Sequence, residues 1–417
     1  MVKLQTRLLV ITSLLVVCLL VGGCALTQDL DAHLDSIVKP HRFSIAKWEF
    51  AAILHEVNQW IFSSSEEVDS EVDMILEYFS ATERIKTLKS EIQAINAGNR
   101  QGDSASLEAE LNMLQEQRLA LETTAEKIIE RQIRETLTQQ GIFNPIDKYI
   151  RLEVGFPPVN FKLEKPPYYL VISPRDKIET MRGILLQPSL NLEEIEDIEA
   201  KVDELDVSSL VVRLGGLSTP YPTFVTNDAN LRFTIDAATE EWLHQYLVFK
   251  PLGFRYLLDL TGVSRNYEIA TMNETLAGMV SKEIGSIVCR KYYPEYENDV
   301  NQNQAAESEF DFNREMREIR KTVDKYLAQG EIEQAEEFME QKRQYLASMG
   351  HYIRKLNQAY FAFYGTYADR PTSISPIGLE LKELRSQSAS LKDFLNTVAV
   401  MTSHQDLRDS IKSKSER

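Results

Sequence analysis

Hydrophobic residues recur at helical spacing along two long stretches near the amino terminus. From Val68 to Ile95, and again from Leu107 to Ile133, apolar side chains return every three or four residues and would form one stripe per helix. Residues 96–104 between them hold two glycines and an Asp-Ser pair that can cap the second helix. The pattern predicts an antiparallel helical hairpin, whose arms would each extend on the order of 45 Å. Such a hairpin serves either as a packing element or as a docking surface for a partner protein.

Other stretches predict shorter elements. An amphipathic helix is predicted over residues 43–62, ahead of the hairpin. Short apolar runs typical of strands cover residues 159–163, 168–173, 184–187, 209–214 and 224–226, with an acidic helix predicted over residues 192–205. Further helices are predicted over residues 273–291, 310–327, 332–348, 352–367, 378–387 and 391–400.

Together these patterns predict an α+β, mainly helical protein. It would have a long N-terminal helical hairpin, a small mixed-sheet lobe and a helical C-terminal half. The predicted boundaries are residues 1–26 for a leader or anchor, 27–148 for the helical region, 149–235 for the sheet lobe and 236–417 for the last lobe. With 417 residues, 43 % of them hydrophobic, the chain can fill a sizeable core.

The first 26 residues have the pattern of an export signal. Lys3 and Arg7 precede an apolar run over residues 8–21, and small residues then lead to Cys24. The pattern favours a bacterial lipobox, in which Cys24 would carry a diacylglyceryl group. An uncleaved anchor is the alternative, because residues 8–26 are just long enough to span a bilayer. Either predicts a protein tethered to the bacterial cell membrane and facing the extracytoplasmic side.

The net charge limits the kinds of partner that we expect, and the cysteine content limits the ways in which the fold can be stabilised. The chain carries 63 acidic and 46 basic side chains, a net charge of −17. Because this surplus repels polyphosphates and leaves no basic domain, we expect no nucleic-acid partner. Of the three cysteines only Cys289 lies in the body of the chain, so packing rather than an intramolecular disulfide must supply the stability there.

Four residues on two predicted helices carry the candidate chemistry. Glu240 and His244 lie one turn apart on one helix face, and Glu241 sits about 100° further round. Glu274 lies on a second helix, whose apolar side can pack it against the first. In the pattern His-Glu-x-x-His, two imidazoles at i and i+4 hold a metal ion and the Glu acts as general base. Here Glu240 replaces the first imidazole.

The surrounding residues make this match more specific. Glu-Trp-Leu-His-Gln-Tyr-Leu, Phe-Lys-Pro-Leu-Gly-Phe, Met-Asn-Glu-Thr-Leu-Ala and Glu-Ile-Gly begin at residues 241, 249, 272 and 283. In this order and spacing they resemble the active-site region of gluzincin-type zinc metallopeptidases. They resemble more closely an uncharacterised bacterial group of membrane-tethered, peptidase-like proteins with His-Glu-Trp-x-His before Asn-Glu-Thr-x-Ala. The resemblance covers about residues 209–400, and the closer group also has the helical hairpin.

The resemblance implies a helical, metallopeptidase-like C-terminal half and a role for each motif residue. His244 and Glu274 would bind zinc, Glu241 would be the general base, and Glu240 would stand where a His ligand belongs. A carboxylate binds zinc at about the same distance as an imidazole. Two Glu and one His would, however, neutralise the dication and weaken its effect on bound water, and manganese would suit such an oxygen-rich shell better.

Two functions follow from this. The first is a membrane-tethered zinc metallopeptidase that hydrolyses peptide bonds in a peptide or protein substrate by means of metal-activated water. The alternative is a catalytically decayed homologue, a surface lipoprotein that binds a protein partner through its helical hairpin.

Two tyrosines are further candidates for the site. Tyr364 and Tyr367 could donate a hydrogen bond to the oxyanion of a tetrahedral intermediate. They belong to an aromatic run that begins at Tyr360 and is similar to the helix that closes the site in aminopeptidase-like relatives. An aromatic stripe is more often part of a core, so the sequence leaves both roles open.

Overall fold

The protein is described here from a computed structural model. The described residues are 28–44, 68–97, 99, 101–145, 155–218, 220–296 and 310–416. The predicted leader with Cys24 lies outside these ranges, as does nearly all of the helix predicted over residues 43–62. Among the helices of the described residues, none combines the length and the apolar character needed to cross a bilayer.

The N-terminal part is helical. Helix α1 (Gln28–Val38) ends in one 3-10 turn and packs near the sheet lobe, where Asp31 pairs with Arg182 at 2.9 Å. Helices α2 (Val68–Asn96) and α3 (Ser104–Gln139) form the predicted antiparallel hairpin. Asp103 caps α3 by accepting a hydrogen bond from the Ala105 N–H at 3.1 Å.

Burial falls along the hairpin from base to tip. At the base, Ile75 and Ile129 are fully buried in the largest core cluster. Towards the tip, Met113 and Leu119 are 59 % and 69 % exposed. The base therefore belongs to the core of the protein, whereas the distal arms pack chiefly on each other.

Within the described residues, six short strands form two three-stranded sheets. They are β1 (Phe161–Leu163), β2 (Tyr168–Pro174), β3 (Arg182–Leu186), β4 (Val207–Arg213), β5 (Gly216–Leu217) and β6 (Thr223–Val225). The first sheet is antiparallel in the order β3-β2-β4, with Leu170 opposite Ile184 and Val211. The second has the order β1-β6-β5, with β1 parallel and β5 antiparallel to β6. Helix α4 (Leu192–Asp203) packs its apolar side on the first sheet.

Glutamates of α3 occupy the free edge of β1. The N–H groups of Phe161 and Leu163 donate to the carboxylates of Glu130 and Glu126, at 3.1 and 2.8 Å. Phe161 and Leu163 are two residues apart, so their N–H groups point to the same edge of β1. Glu126 and Glu130 are four residues apart, so their side chains lie on the same face of α3 and can both reach that edge. The hairpin base and the second sheet are thereby joined by buried hydrogen bonds.

The C-terminal half is helical. Its helices are α5 (Leu231–Leu247), α6 (Pro251–Leu260), α7 (Tyr267–Tyr292), α8 (Phe312–Ala328), α9 (Ile332–Ser348), α10 (Gln358–Tyr364), α11 (Ile377–Ser386), α12 (Leu391–Ala399) and α13 (His404–Ser415). Buried residues of α5 and α7 form the centre of the largest core, together with the hairpin base and α11 to α13. The prediction of a mainly helical protein with a small mixed sheet is confirmed.

The helix predicted over residues 352–367 is much shorter in the structure. Only α10 is helical, because Asn357 caps it by accepting a hydrogen bond from the Tyr360 N–H at 2.9 Å. The same side chain donates to the Ser209 carbonyl of β4 at 2.8 Å. The residues before Asn357 therefore run as an irregular segment along the first sheet.

Candidate metal centre

The candidate ligands are positioned by α5 and α7, the two helices at the centre of the core. Asn230 caps α5 by accepting a hydrogen bond from the Phe233 N–H at 2.8 Å. The indole of Trp242 is buried and donates to the Pro157 carbonyl at 2.7 Å, which fixes the rotation of α5 about its axis. The opposite face of the helix then presents Glu240 and His244 to α7.

Glu240, His244 and Glu274 converge on one point. Each offers one ligand atom, and these atoms all lie within 4.8 Å of one another. His244 Nε2 lies 3.7 Å from a carboxylate oxygen of Glu274. Two ligands at about 2.1 Å from a tetrahedral zinc ion would be about 3.4 Å apart. The group can therefore hold one metal ion with only small side-chain movements.

Neighbouring side chains orient two of the three candidate ligands. The amide of Asn273 lies 2.9 Å from His244 Nδ1, and the Tyr256 hydroxyl donates to Glu274. Asn273 Oδ1 is buried and, in the present amide orientation, has no hydrogen-bond partner in the part of the chain that the structure describes. With the amide turned, Oδ1 would accept the Nδ1 proton and Nε2 would be left free to bind an ion.

Glu241 lies on the β5 side of the centre. A side-chain carbon added at Gly216 would come within 2.4 Å of a Glu241 carboxylate oxygen, so the carboxylate lies directly against the backbone of β5. The side chain of Ser218 forms a hydrogen bond with the same carboxylate. The absence of a side chain at Gly216 thus makes room for Glu241 beside the ligands but outside their cluster.

The pKa values of Glu240 and Glu241 are raised in the centre. Burial, followed by the negative charge of Glu274, raises the pKa of Glu240 to about 7. Burial and the charges of Glu240 and Glu274 raise the pKa of Glu241 well above its ordinary value. A divalent cation would relieve this repulsion and return both groups to the charged form. The electrostatics of the cluster thus favour a cation.

The two candidate tyrosines have different surroundings. Tyr367 is hydrogen-bonded to Glu240 and its ring lies against α7, where a side-chain carbon at Gly278 would be 3.9 Å from it. Burial and the nearby carboxylates raise its pKa well above the ordinary value. Tyr364 instead packs against Tyr360, with ring centres 4.6 Å apart and the ring planes tilted by 49°. The structure thus brings Tyr367 to the candidate ligands and places Tyr364 in an aromatic row further out.

Three residues of the centre were not singled out from the sequence. Asn273 precedes Glu274 in the quoted motif, so its neighbouring position was the available signal. Tyr256 lies on α6, a helix that the sequence analysis did not predict, although Pro251 at its first position is a common start signal. Arg370 follows the aromatic run, and its charge lowers the pKa of Glu240. Neither Tyr256 nor Arg370 belongs to a motif that would have identified it.

Comparison with protein-family models, with curated proteins and with solved structures found no match to this chain. The resemblance to gluzincin-type metallopeptidases therefore stays a prediction.

Proposed function

We propose that this protein is a metallopeptidase that hydrolyses peptide bonds with a zinc ion held by Glu240, His244 and Glu274. The observation that carries the proposal is the convergence of these three side chains from two buried helices, with Glu241 adjacent. Two-residue ion pairs are common on protein surfaces. A partly buried group of two carboxylates and an imidazole, by contrast, has the ligand types of a zinc site.

The residues of the centre suit the steps of amide hydrolysis. A bound ion would polarise the substrate carbonyl and acidify a water molecule. Glu241, which is not among the three ligands, would accept the proton of the attacking water and pass it to the leaving amine. Tyr367 is the hydrogen-bond donor that we assign to the developing oxyanion, since its hydroxyl lies beside Glu240.

The position of β5 favours a peptide as the substrate. It is the last strand of its sheet, and Glu241 lies against its backbone. An extended peptide can add to such an edge through main-chain hydrogen bonds. A substrate bound in this way would place its peptide bonds beside the general base.

The proposed location and the identity of the metal rest on different residues. Tethering to the bacterial cell membrane, on the extracytoplasmic side, depends on Cys24 and the apolar run before it, outside the described residues.

Zinc is the ion we propose because three protein ligands of N and O type leave one tetrahedral position open. Manganese is the alternative, since two of the ligands are carboxylates.

Replacing Glu241 with Gln tests the proposal. The variant should keep the metal and the fold but lose hydrolysis by about 10²–10⁴-fold, the usual contribution of a general base. Elemental analysis would follow the metal, and a panel of quenched-fluorescence peptides with added zinc or manganese would follow turnover. Glu333→Gln is a matched control, because that carboxylate is 80 % exposed on α9.

Two outcomes would contradict the proposal. Turnover that is undiminished in Glu241→Gln would remove this residue from the mechanism. A wild-type protein that binds neither zinc nor manganese would favour the decayed homologue, with a partner bound at the hairpin, where Met113 and Leu119 are exposed.

A further inference from the structure

Arg370 lies at the edge of the candidate metal centre, on the segment that follows α10. This segment is fastened to α7, the helix that carries Glu274. The Ala368 N–H donates to the Thr275 hydroxyl at 2.9 Å, and Asp369 pairs with Lys282 at 2.6 Å. The backbone of Arg370 is therefore held at a fixed place relative to the candidate ligands.

The guanidinium of Arg370 is held by an aromatic ring. Its central carbon lies 4.3 Å from the centre of the Tyr367 ring, which is a stacking distance. The same tyrosine is hydrogen-bonded to the candidate ligand Glu240. A guanidinium that stacks by its face keeps the N–H donors along its edges available for another partner.

The charge of Arg370 acts on Glu240 without a direct ion pair in the described part of the chain. Among the residues that the structure describes, no carboxylate lies within ion-pair distance of Arg370, although acidic residues outnumber basic ones by 63 to 46. Lys282, the other cation whose charge acts on Glu240, pairs with Asp369 at 2.6 Å. Arg370 is also exposed to solvent, so a ligand can reach it.

We propose that Arg370 binds a carboxylate of the substrate and so makes the site selective for peptides with an anionic group near the cleaved bond. Selectivity in cleavage rests on the proposed peptidase function, whereas binding of a carboxylate by Arg370 does not depend on it. A guanidinium matches a carboxylate with two parallel hydrogen bonds. Three glutamates would repel an anionic ligand elsewhere in the centre, so Arg370 provides the place where such a group is attracted.

The carboxylate has two sources in a peptide, its C-terminus or an Asp or Glu side chain. Three probes separate them: N-acetyl-Ala-Ala-Phe as the free acid, the same peptide as its C-terminal amide, and N-acetyl-Ala-Asp-Phe amide. Binding is measured by calorimetry on the full chain, once without metal and once with added zinc. The Glu241→Gln background prevents turnover in both series.

We expect one of the two acidic probes to bind about 10–100-fold more tightly than the neutral amide, the range given by a hydrogen bond to a charged group. Arg370→Ala should remove this preference, and Arg370→Lys should keep part of it, because the charge remains while the paired geometry is lost. Arg343→Ala is the control, since that arginine is already paired with Glu340 at 2.7 Å on α9.

The outcomes distinguish this inference from the proposed function. A carboxylate preference that survives in Arg370→Ala, equal binding of all three probes, or no binding of any probe would overturn the role of Arg370. Such a result together with stoichiometric zinc would leave the proposed function standing. A preference that depends on Arg370 in a protein that binds no metal would support the inference and count against the peptidase.

Discussion

Glu240 determines how strongly the centre competes for a metal ion. With a pKa raised to about 7 by burial and by Glu274, it carries a proton for much of the time near neutral pH. A protonated carboxyl is a poor ligand, so the ion has to displace that proton. The hydrogen bond with Tyr367 adds a second partner that binding of an ion would disturb. Replacement of the expected imidazole by Glu240 therefore weakens the site through charge rather than through distance.

Glu240→His should tighten zinc binding and raise hydrolysis. The substitution removes one of the mutually repelling carboxylates and supplies a neutral ligand, which leaves the ion more positive. We expect an affinity gain of about tenfold or more, which corresponds to about 1.4 kcal/mol. Competition against a chromophoric chelator measures the affinity, with Glu333→His on the exposed face of α9 as the control. Unchanged zinc affinity would show that residue 240 does not contact the ion.

The site was predictable where residue spacing determines geometry. Helical periodicity alone places Glu240 and His244 on one helix face. The motif that contains Glu274 predicted that this third side chain would lie near them. Tyr367 and Tyr364 could not be separated in this way, because the aromatic run leaves its helix at Tyr364. Arg370 and Tyr256 reach the centre through tertiary contacts between segments far apart in the chain, which no local pattern reports.

At the scale of elements, α3 carries a row of partly or fully buried glutamates at its base. Glu122, Glu126 and Glu130 lie at successive turns of α3, where Glu126 and Glu130 accept hydrogen bonds from β1 and Glu122 accepts one from the Tyr78 hydroxyl of α2 at 3.5 Å. Burial raises the pKa of Glu126 and Glu130. Burial, followed by the charge of Glu126, raises the pKa of Glu122 to about 7. The junction of hairpin and sheet should therefore be sensitive to pH.

Glu122→Gln should remove part of that sensitivity. A carboxyl with a raised pKa binds its proton more tightly in the folded state, so its contribution to stability is present below pH about 4.5 and is lost as the pH rises through 7. A shift of this size is about 3 kcal/mol at full burial, and we expect about 1–2 kcal/mol because the side chain is partly exposed. Urea unfolding should find the variant more stable than wild type at pH 8, with the gap closing towards pH 5.

Glu116→Gln, an exposed position on the same helix, is the control for the Glu122 experiment. Its unfolding free energy should follow that of the wild type at both pH values. An equal response of the two variants would show that the pH dependence does not come from burial at the hairpin base.

The element boundaries show where pattern reasoning succeeds and where it fails. The hairpin was predictable because its stripes extend over many turns, and α9 (Ile332–Ser348) was predicted at its observed bounds. Helix α13 was not predicted, although Ser403 and Asp406 form a capping box at its start. The hydrophobic stripes also could not show that only the hairpin base joins the largest core cluster, because both halves of the hairpin carry the same spacing.

At the scale of the whole molecule, buried ion pairs join the sheet lobe to the C-terminal helices. Arg354, in the segment before α10, donates to both carboxylate oxygens of Glu199 on α4 at 2.6 and 2.8 Å. It also donates to the Val211 carbonyl of β4 at 3.1 Å. The Glu199 side chain is 4 % exposed and also accepts a hydrogen bond from the Val211 N–H at 2.6 Å, so Arg354 and β4 together satisfy this buried carboxylate.

Arg354→Ala should destabilise the protein by about 2–4 kcal/mol. Loss of one partner of a buried pair leaves an uncompensated charge, which typically costs about 3–5 kcal/mol. The expected value is somewhat smaller because Lys355 remains 3.7 Å from Glu199. Denaturant unfolding measures the change. Arg343→Ala breaks a similar pair with the exposed Glu340 and should cost under about 1 kcal/mol; equal costs would contradict the argument from burial.

Because burial decreases from the base of the hairpin to its tip, the length of the two arms can change without a change in the core. The distal arms rest mainly on each other, so equal segments can be removed from or added to both without opening the core. The phase of each helix is nearly restored after eleven residues, about three turns, so changes of that size would keep the apolar stripes facing one another. Variants with shorter or longer arms would thus move the tip by on the order of 16 Å per step, while Glu240, His244 and Glu274 stay in place.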